Sequence, residues 1–343
     1  MSRILAAVLV LLSWSARAAA PEPTAVTPEL VQGATKEGRI AWYTAIDLAV
    51  AEKVARAFEA KYPSIAVQVQ RSGAERNFQR LAQERASNIL AADVVDSSDA
   101  AHFIIWKRSG WLAPYVPEDV ARHIPARYKD ADGTYAVWRS TLCVIAYNTK
   151  LVPTAEAPKS FADLLDPKWA GKIVKAHPGY SGTILTATFQ MARDIGWGYF
   201  EKLSKQRVLQ VQSAVDPPKK LAAGERPIMA DGTEASLTFQ QDAGQPVMPV
   251  YATEGTPLIA SGTALLKDAP HPNAARLFQS YLFSLEAQQL IIDVGGFRSL
   301  HARAKERPGR TPLDQIKTMA DDPEGVEAQA EEIKKRYTQY FRI

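Results

Sequence analysis

Cysteine is nearly missing from this 343-residue chain; Cys143 is the only one, set between Leu142 and Val144 in an apolar run. A single thiol excludes an internal disulfide, so stability must come from a core, and a chain of about 320 residues after signal removal can supply one. No base stands beside Cys143 in sequence, so a small buried hydrophobe is expected rather than a nucleophile. Past the N-terminus no apolar run reaches the roughly 18 residues of a membrane span, so a soluble mature chain is expected. Histidine is sparse: His102, His123, His177, His271 and His301 show no His-x-x-x-His spacing. The chain has no Gly-x-Ser-x-Gly elbow and no phosphate loop ending in Gly-Lys-Ser/Thr. With no nucleophile–base pair in view, no enzyme activity, catalytic residue, metal ligand or cofactor is expected. An excess of one charge is also missing: 41 Lys and Arg face 37 Asp and Glu, a formal charge of +4 that falls to +2 once Arg3 and Arg17 leave with the signal. So small a charge gives no footprint for nucleic acid or a membrane surface.

What is present begins with an export signal over residues 1–20. Arg3 supplies a positive start, Ile4 to Trp14 an apolar stretch broken only by Ser13, and Ala16-Arg17-Ala18 and Ala18-Ala19-Ala20 two small-x-small cleavage sites. Cleavage is expected after Ala18 or Ala20. No cysteine follows the apolar stretch, so no bacterial lipid anchor is expected, and the chain is placed in the periplasm. An exported chain that then opens with a strand–helix–strand unit (Arg39 to Gln70) reads as a solute-binding protein before it reads as an enzyme.

Strand and helix patterns alternate along the rest, which argues for α/β architecture in two lobes with mainly parallel sheets. Strands are expected at Ile40–Tyr43, Ile65–Gln70 and from Asp93, with helices from Asp47, over Glu75 to Ala86 and over Ala100 to Ser109. Residues 111–133 read as an irregular surface excursion. Tyr135 to Asn148 and Val247 to Tyr251 are expected to cross between lobes as a two-strand hinge. Lobe 1 is expected over 27–138 plus about 255–300, lobe 2 over 139–254, and C-terminal helices over 301–343, packed on the lobes and on lobe 2 above all.

Ligands of open α/β sheets sit at the carboxyl ends of strands. Thr44, Ser72 with Gly73, Ser98, and the run Ser181-Gly182-Thr183 stand at such ends, so they are the expected binding positions. Ser181 can cap the following helix while Gly182 and Thr183 leave N–H groups open, an arrangement suited to an anion; an ordinary capped helix is the alternative. Asp231 and Glu254 end strands of the second lobe and could accept hydrogen bonds from hydroxyls or pair with an amine, or serve as a helix cap and a turn residue. Arg139 lies inside an apolar strand and needs an anionic partner, whether solute or structural aspartate; Arg71 and Arg298 are the other cations expected near the cleft. Tyr43, Trp138 and Tyr251 could wall it, or belong to the core.

Several motifs then carry a family likeness. Trp42-Tyr43-Thr44-Ala45 with Ala57-Phe58-Glu59-Ala60-Lys61-Tyr62-Pro63, Tyr147-Asn148-Thr149-Lys150, Phe161 to Lys172, Glu254-Gly255-Thr256-Pro257 and Asn273 to Phe278 resemble the iron/sugar-phosphate group of periplasmic solute-binding proteins of ABC transporters. The likeness covers nearly all of the mature chain. It implies a type II periplasmic binding fold, no catalysis, a monomer, and partners in a membrane permease and its ATPase. Ferric-binding members use adjacent tyrosines where this chain has Met229-Ala230-Asp231-Gly232-Thr233-Glu234, so the resemblance implies a small anionic solute, of sugar-phosphate or phosphonate type, over iron. In the sugar-phosphate pattern Asp231 and Glu254 would hold hydroxyls and residues 181–183 the phosphate. Ferric iron, thiamine, a periplasmic hydrolase and a receptor-presenting sensor remain as alternatives.

Overall fold

The computed structural model describes residues 19–342, so the charged start and apolar stretch of the expected signal lie outside the described residues. The strand–helix–strand unit forms where the pattern places it. After α1 (Pro28–Glu37), β1 (Arg39–Thr44) is buried along its length except at Arg39, α2 (Leu48–Lys61) turns Val50, Val54 and Phe58 inward, and β2 (Ala66–Arg71) runs parallel to β1. Then follow α3 (Ala74–Ala86), β3 (Val94–Ser97), α4 (Ala100–Arg108), β4 (Leu112–Ala113) and α5 (Glu118–His123). The excursion at 111–133 is thus more ordered than expected, since β4 pairs with a later strand and α5 packs on a later helix.

β5 (Ala136–Leu142) belongs to the first sheet and β6 (Ile145–Asn148) to the second, so one continuous strand-like segment carries the chain across. The second lobe holds β7 (Ile173–Ala176), α6 (Gly182–Asp194), α7 (Trp197–Ser204), β8 (Leu209–Val211), α8 (Asp216–Ala222), β9 (Ile228–Met229), α9 (Glu234–Asp242) and β10 (Val247–Val250). β11 (Thr256–Leu266) returns, followed by α10 (Pro272–Phe283), α11 (Leu285–Asp293), β12 (Thr318–Met319) and α12 (Pro323–Phe341). The two crossings lie side by side, with Leu258 opposite Leu142 and the Cys143 N–H donating to the Pro257 carbonyl at 2.9 Å. This is a two-strand hinge, but its returning strand is β11; Val247 to Tyr251, expected to cross, instead holds β10, which pairs with β6 inside the second sheet. Among the described residues no helix is long and apolar enough to cross a membrane.

The sheets are mixed rather than mainly parallel. The first runs β12-β11-β3-β1-β2 with β4 and β5 also on β11, and the second runs β10-β6-β9-β7-β8. Parallel ladders occupy β3-β1-β2, β11-β12 and β9-β7-β8, while β11 pairs antiparallel with β3, β4 and β5, and β6 antiparallel with β9 and β10. The reason is the hinge, because a chain that crosses and returns must lay two segments in opposite senses.

Each lobe has its own core. In the first, Trp42 meets Phe278 at 5.2 Å and Trp138 at 6.0 Å between ring centroids, and Phe58 meets Phe278 at 5.1 Å. Edge-to-face contacts of this kind add to the burial of each ring. In the second, Phe161, Trp169, Phe200 and Tyr337 pack with Ile173 and Ile184. Cys143 is buried in that core and burial pushes its thiol well above the usual range, as expected of an inert hydrophobe. α12 lies against α4 of the first lobe and against α6 and α7 of the second.

Candidate functional site

The cleft between the lobes is where strand ends and helix starts converge. From the first lobe come Ala45, Ile46 and Asp47 after β1, Gly73 and Ala74 at the start of α3, Ser98 after β3, and Arg139 and Thr141 of β5. From the second come Tyr180, Ser181 and Thr183 at the start of α6, Ser213 to Val215 after β8, and Thr233 and Ser236 at the start of α9; Phe297 also reaches in. The lobes stand close together and leave a cavity of about 30 Å³, room for about two water molecules.

Direct contacts hold the lobes in this state. The Arg71 guanidinium donates to the Ser213 hydroxyl at 3.1 Å and that of Arg76 to the Gln212 side-chain carbonyl at 2.6 Å. Lys219 stands 3.4 Å from Asp47. At Gly182 the backbones come too close for a side chain: a Cβ there would lie 2.6 Å from the Asp99 Cβ and 2.9 Å from the Asp99 N.

The electrostatic character of the cleft comes from backbone and one guanidinium. α3 begins at Gly73 with no side-chain cap, so the N–H groups of its first turn point toward the cleft without a covering side chain. At α6 the Ser181 hydroxyl accepts the Ile184 N–H at 3.4 Å, and at α9 the Thr233 hydroxyl accepts the Ser236 N–H at 3.1 Å. Helix N-termini present partial positive charge, and these arrive from both lobes. Arg139 is 3% exposed; its Nη2 donates to Asp96 Oδ1 at 3.2 Å, while its Nε is buried with no partner. Burial pulls the Arg139 guanidinium below its usual pKa, and the Asp96 charge opposes that pull. Asp96 is itself pushed up by burial and held by Arg139 and by Thr44, whose hydroxyl donates to Asp96 Oδ2 at 2.5 Å.

Of the expected positions, Gly73, Ser98, Arg139, Ser181 and Thr183 line the cleft together. Gly182 serves as the point of contact between lobes. Thr44 does not face the cleft and instead fixes the Asp96 carboxylate beside Arg139. The Ser72 N–H donates to the Thr44 carbonyl at 3.1 Å, and Ser72 does not reach the lining.

Asp231 and Glu254 need correction. Asp231 forms an ion pair with Lys175 inside the second lobe, where both are 2% exposed or less, and its Oδ1 accepts the Ala176 N–H at 3.3 Å. Burial pushes this carboxyl up while Lys175 opposes it. Glu254 accepts the Phe161 and Ala162 N–H groups at 3.2 and 3.0 Å, capping the short turn over Ala162–Leu165. Neither carboxylate lines the cleft.

Arg298 is likewise taken up by structure, donating to both Glu234 oxygens at 2.9 Å. Tyr43 and Tyr251 donate to Glu84 and Glu234, and Trp138 lies in the core. Reasoning from sequence missed Asp47, Thr141, Ser213, Thr233, Ser236 and Phe297. Ser213 stands just past β8, so the rule on strand ends applies to it equally.

Comparisons with known proteins agree with this fold. A probable ABC transporter periplasmic-binding protein of Sinorhizobium fredii is 24% identical over 229 residues, which span 64% of this chain and 63% of that protein's own length. The periplasmic binding protein AfuA of Actinobacillus pleuropneumoniae, solved with fructose-6-phosphate bound, superposes with a TM-score of 0.81 at 24% identity, over 89% of this chain and 99% of AfuA. Iron-bound HitA of Pseudomonas aeruginosa gives 0.75 at 22% identity, over 88% of this chain and 99% of HitA. At these identities the likeness is one of fold, the two-lobed fold of periplasmic binding proteins. The model of the bacterial extracellular solute-binding proteins matches residues 91–310, well over half of the chain, and the chain belongs to that family.

Proposed function

We propose that the protein is the periplasmic solute-binding component of an ABC importer, and that it closes on a small solute bearing a phosphate or phosphonate group and hands it to a membrane permease driven by an ATPase. The observation that carries this reading is the convergence of the α3, α6 and α9 N-termini on Arg139, whose buried Nε has no partner among the described residues. A compact anion would satisfy that donor and the open N–H groups at once. The fructose-6-phosphate in AfuA supports the class of solute, as a property of that protein. The lining disfavours Fe³⁺, a hard cation that needs several anionic oxygens. Among the lining residues only Asp47 and Tyr180 carry a carboxylate or phenol, and Asp47 already pairs with Lys219.

Because the cavity holds about two waters, capture requires the lobes to part about the hinge and close again on the solute. A thermal-shift screen against sugar phosphates, aminoethylphosphonate, inorganic phosphate, thiamine and ferric citrate tests the reading. A solute at 100 times its Kd raises stability by about 2.7 kcal/mol. A shift with a phosphorylated or phosphonate compound that Arg139→Met removes supports it. A shift with ferric citrate or thiamine alone would overturn it.

A further inference from the structure

Away from the cleft, three metal-type donors meet where α5 faces the loop after Phe297. Asp119 and His123 stand one turn apart on α5, and His301 approaches from the loop. One ligand atom from each lies within 4.8 Å of the other two, and Asp119 Oδ1 is 3.9 Å from His123 Nε2. The two imidazole rings are 4.6 Å apart between centroids.

The backbone fixes two of the three. The Ala302 N–H donates to the His123 carbonyl at 3.0 Å, and the His301 N–H to the Ser299 hydroxyl at 3.0 Å, so helix and loop are tied beside the donors. His301 is 3% exposed. Its Nδ1 accepts the Arg303 N–H at 3.2 Å, and its Nε2 is buried with no hydrogen-bond partner. A buried ring nitrogen without a partner is uncommon and calls for an explanation.

We infer that Asp119, His123 and His301 form a binding site for a divalent transition cation of the zinc type, which would clip α5 to the loop at 301 and keep water in the remaining position. Imidazole with one carboxylate suits such ions, whereas calcium and magnesium prefer oxygen donors. Tetrahedral zinc with bonds of about 2.0–2.1 Å sets its ligands about 3.4 Å apart, so donors within 4.8 Å of one another must draw in by up to about 1.4 Å. Asp119 and His123 keep 39% and 21% of their side-chain surface exposed and have room to move. Binding through Nε2 of a neutral ring places the ring proton on Nδ1, so the long contact with the Arg303 N–H is given up as the metal binds.

The test uses mature protein without a histidine tag, stripped with chelator and titrated with Zn²⁺ alone by calorimetry and with Co²⁺ by visible absorption. One equivalent should bind, with a visible Co²⁺ band, and Zn²⁺ should raise Tm. His123→Ala and Asp119→Ala, both at partly exposed positions, should each weaken Zn²⁺ binding by at least about tenfold and remove the Tm shift. His301→Ala should do the same. If it proves too unstable to assay, the other two variants decide. Solute affinity at the cleft should be the same in wild type and variants. Absence of stoichiometric binding, or binding unchanged in His123→Ala, would overturn the assignment, and the second result would place the metal elsewhere.

Discussion

Gly182→Ala should block closure of the cleft without harming either lobe. A methyl group at this position would sit 2.6 Å from the Asp99 Cβ and 2.9 Å from the Asp99 N, and 3.2 Å from the Ala74 Cβ. All three atoms belong to the first lobe, while Gly182 opens α6 in the second. Asp99 cannot easily yield, because it is 2% exposed and its carboxylate caps α4 by accepting the Ala101 N–H at 3.0 Å. Overpacking of this kind costs about 1–3 kcal/mol, and here only the closed state bears it. Apparent solute affinity scales with the fraction able to close, so it should fall by about 5- to 150-fold. Within α6 itself alanine is a better helix former than glycine by roughly 1 kcal/mol at most, so the Tm without solute should hold or rise slightly. Calorimetry with the solute found in the screen and small-angle scattering with and without it give the two readouts. Unchanged affinity, or full compaction on adding solute, would refute the steric argument. A fall in Tm without solute would mean that the substitution damages the second lobe instead.

Other expectations follow from the buried charges. Asp231→Ala should destabilise the protein by about 3–5 kcal/mol by leaving Lys175 buried without its partner, and Lys175→Met with Asp231→Leu should recover most of that in urea unfolding. A stable Asp231→Ala variant that had lost solute binding would instead return Asp231 to the site. Asp321 is pushed up to about 6 by burial, opposed by a hydrogen bond from the Asp322 backbone N–H, with the Asp322 and Glu324 charges adding to the push. Its contribution to stability is full below the unfolded value near 3.8 and is lost as pH rises through about 6. Asp321→Asn should therefore gain about 1–3 kcal/mol at pH 7 and nothing near pH 3.5, read from paired thermal melts. His177 is held down at about 4 by burial and by Lys175, so stability should fall as pH drops from about 6.5 towards 4, by about 1 kcal/mol after allowance for its partial exposure. His177→Gln should flatten that slope, and an unchanged slope would mean that other groups produce it.

The sequence by itself determined what depends on neighbours along the chain. Period and punctuation placed β1, α2, β2 and α6 within a residue or two, and the apolar run from Tyr135 to Asn148 marked the crossing, because strand, helix and turn preferences are local. Small residues at strand ends were enough to name Gly73, Ser98, Ser181 and Thr183, since strand ends of an open α/β sheet lie toward the cleft, although Thr44 and Ser72, named by the same rule, do not line it. Arg139 was legible as a cation in need of an anion, and Asp96, 43 residues earlier, is the partner that only folding could reveal.

Tertiary structure alone decided the rest. Asp231 looked like a ligand because it ends a strand before a helix, yet a buried lysine 56 residues away claims it. Glu254 is claimed by backbone N–H groups 92 and 93 residues earlier. A carboxylate goes to whichever donors are close and poorly solvated, and distance in space is not written in the spacing along the chain. Gly182 shows the same limit: its lack of a side chain reads as turn chemistry in sequence, and only the approach of the two lobes makes it the point on which closure depends.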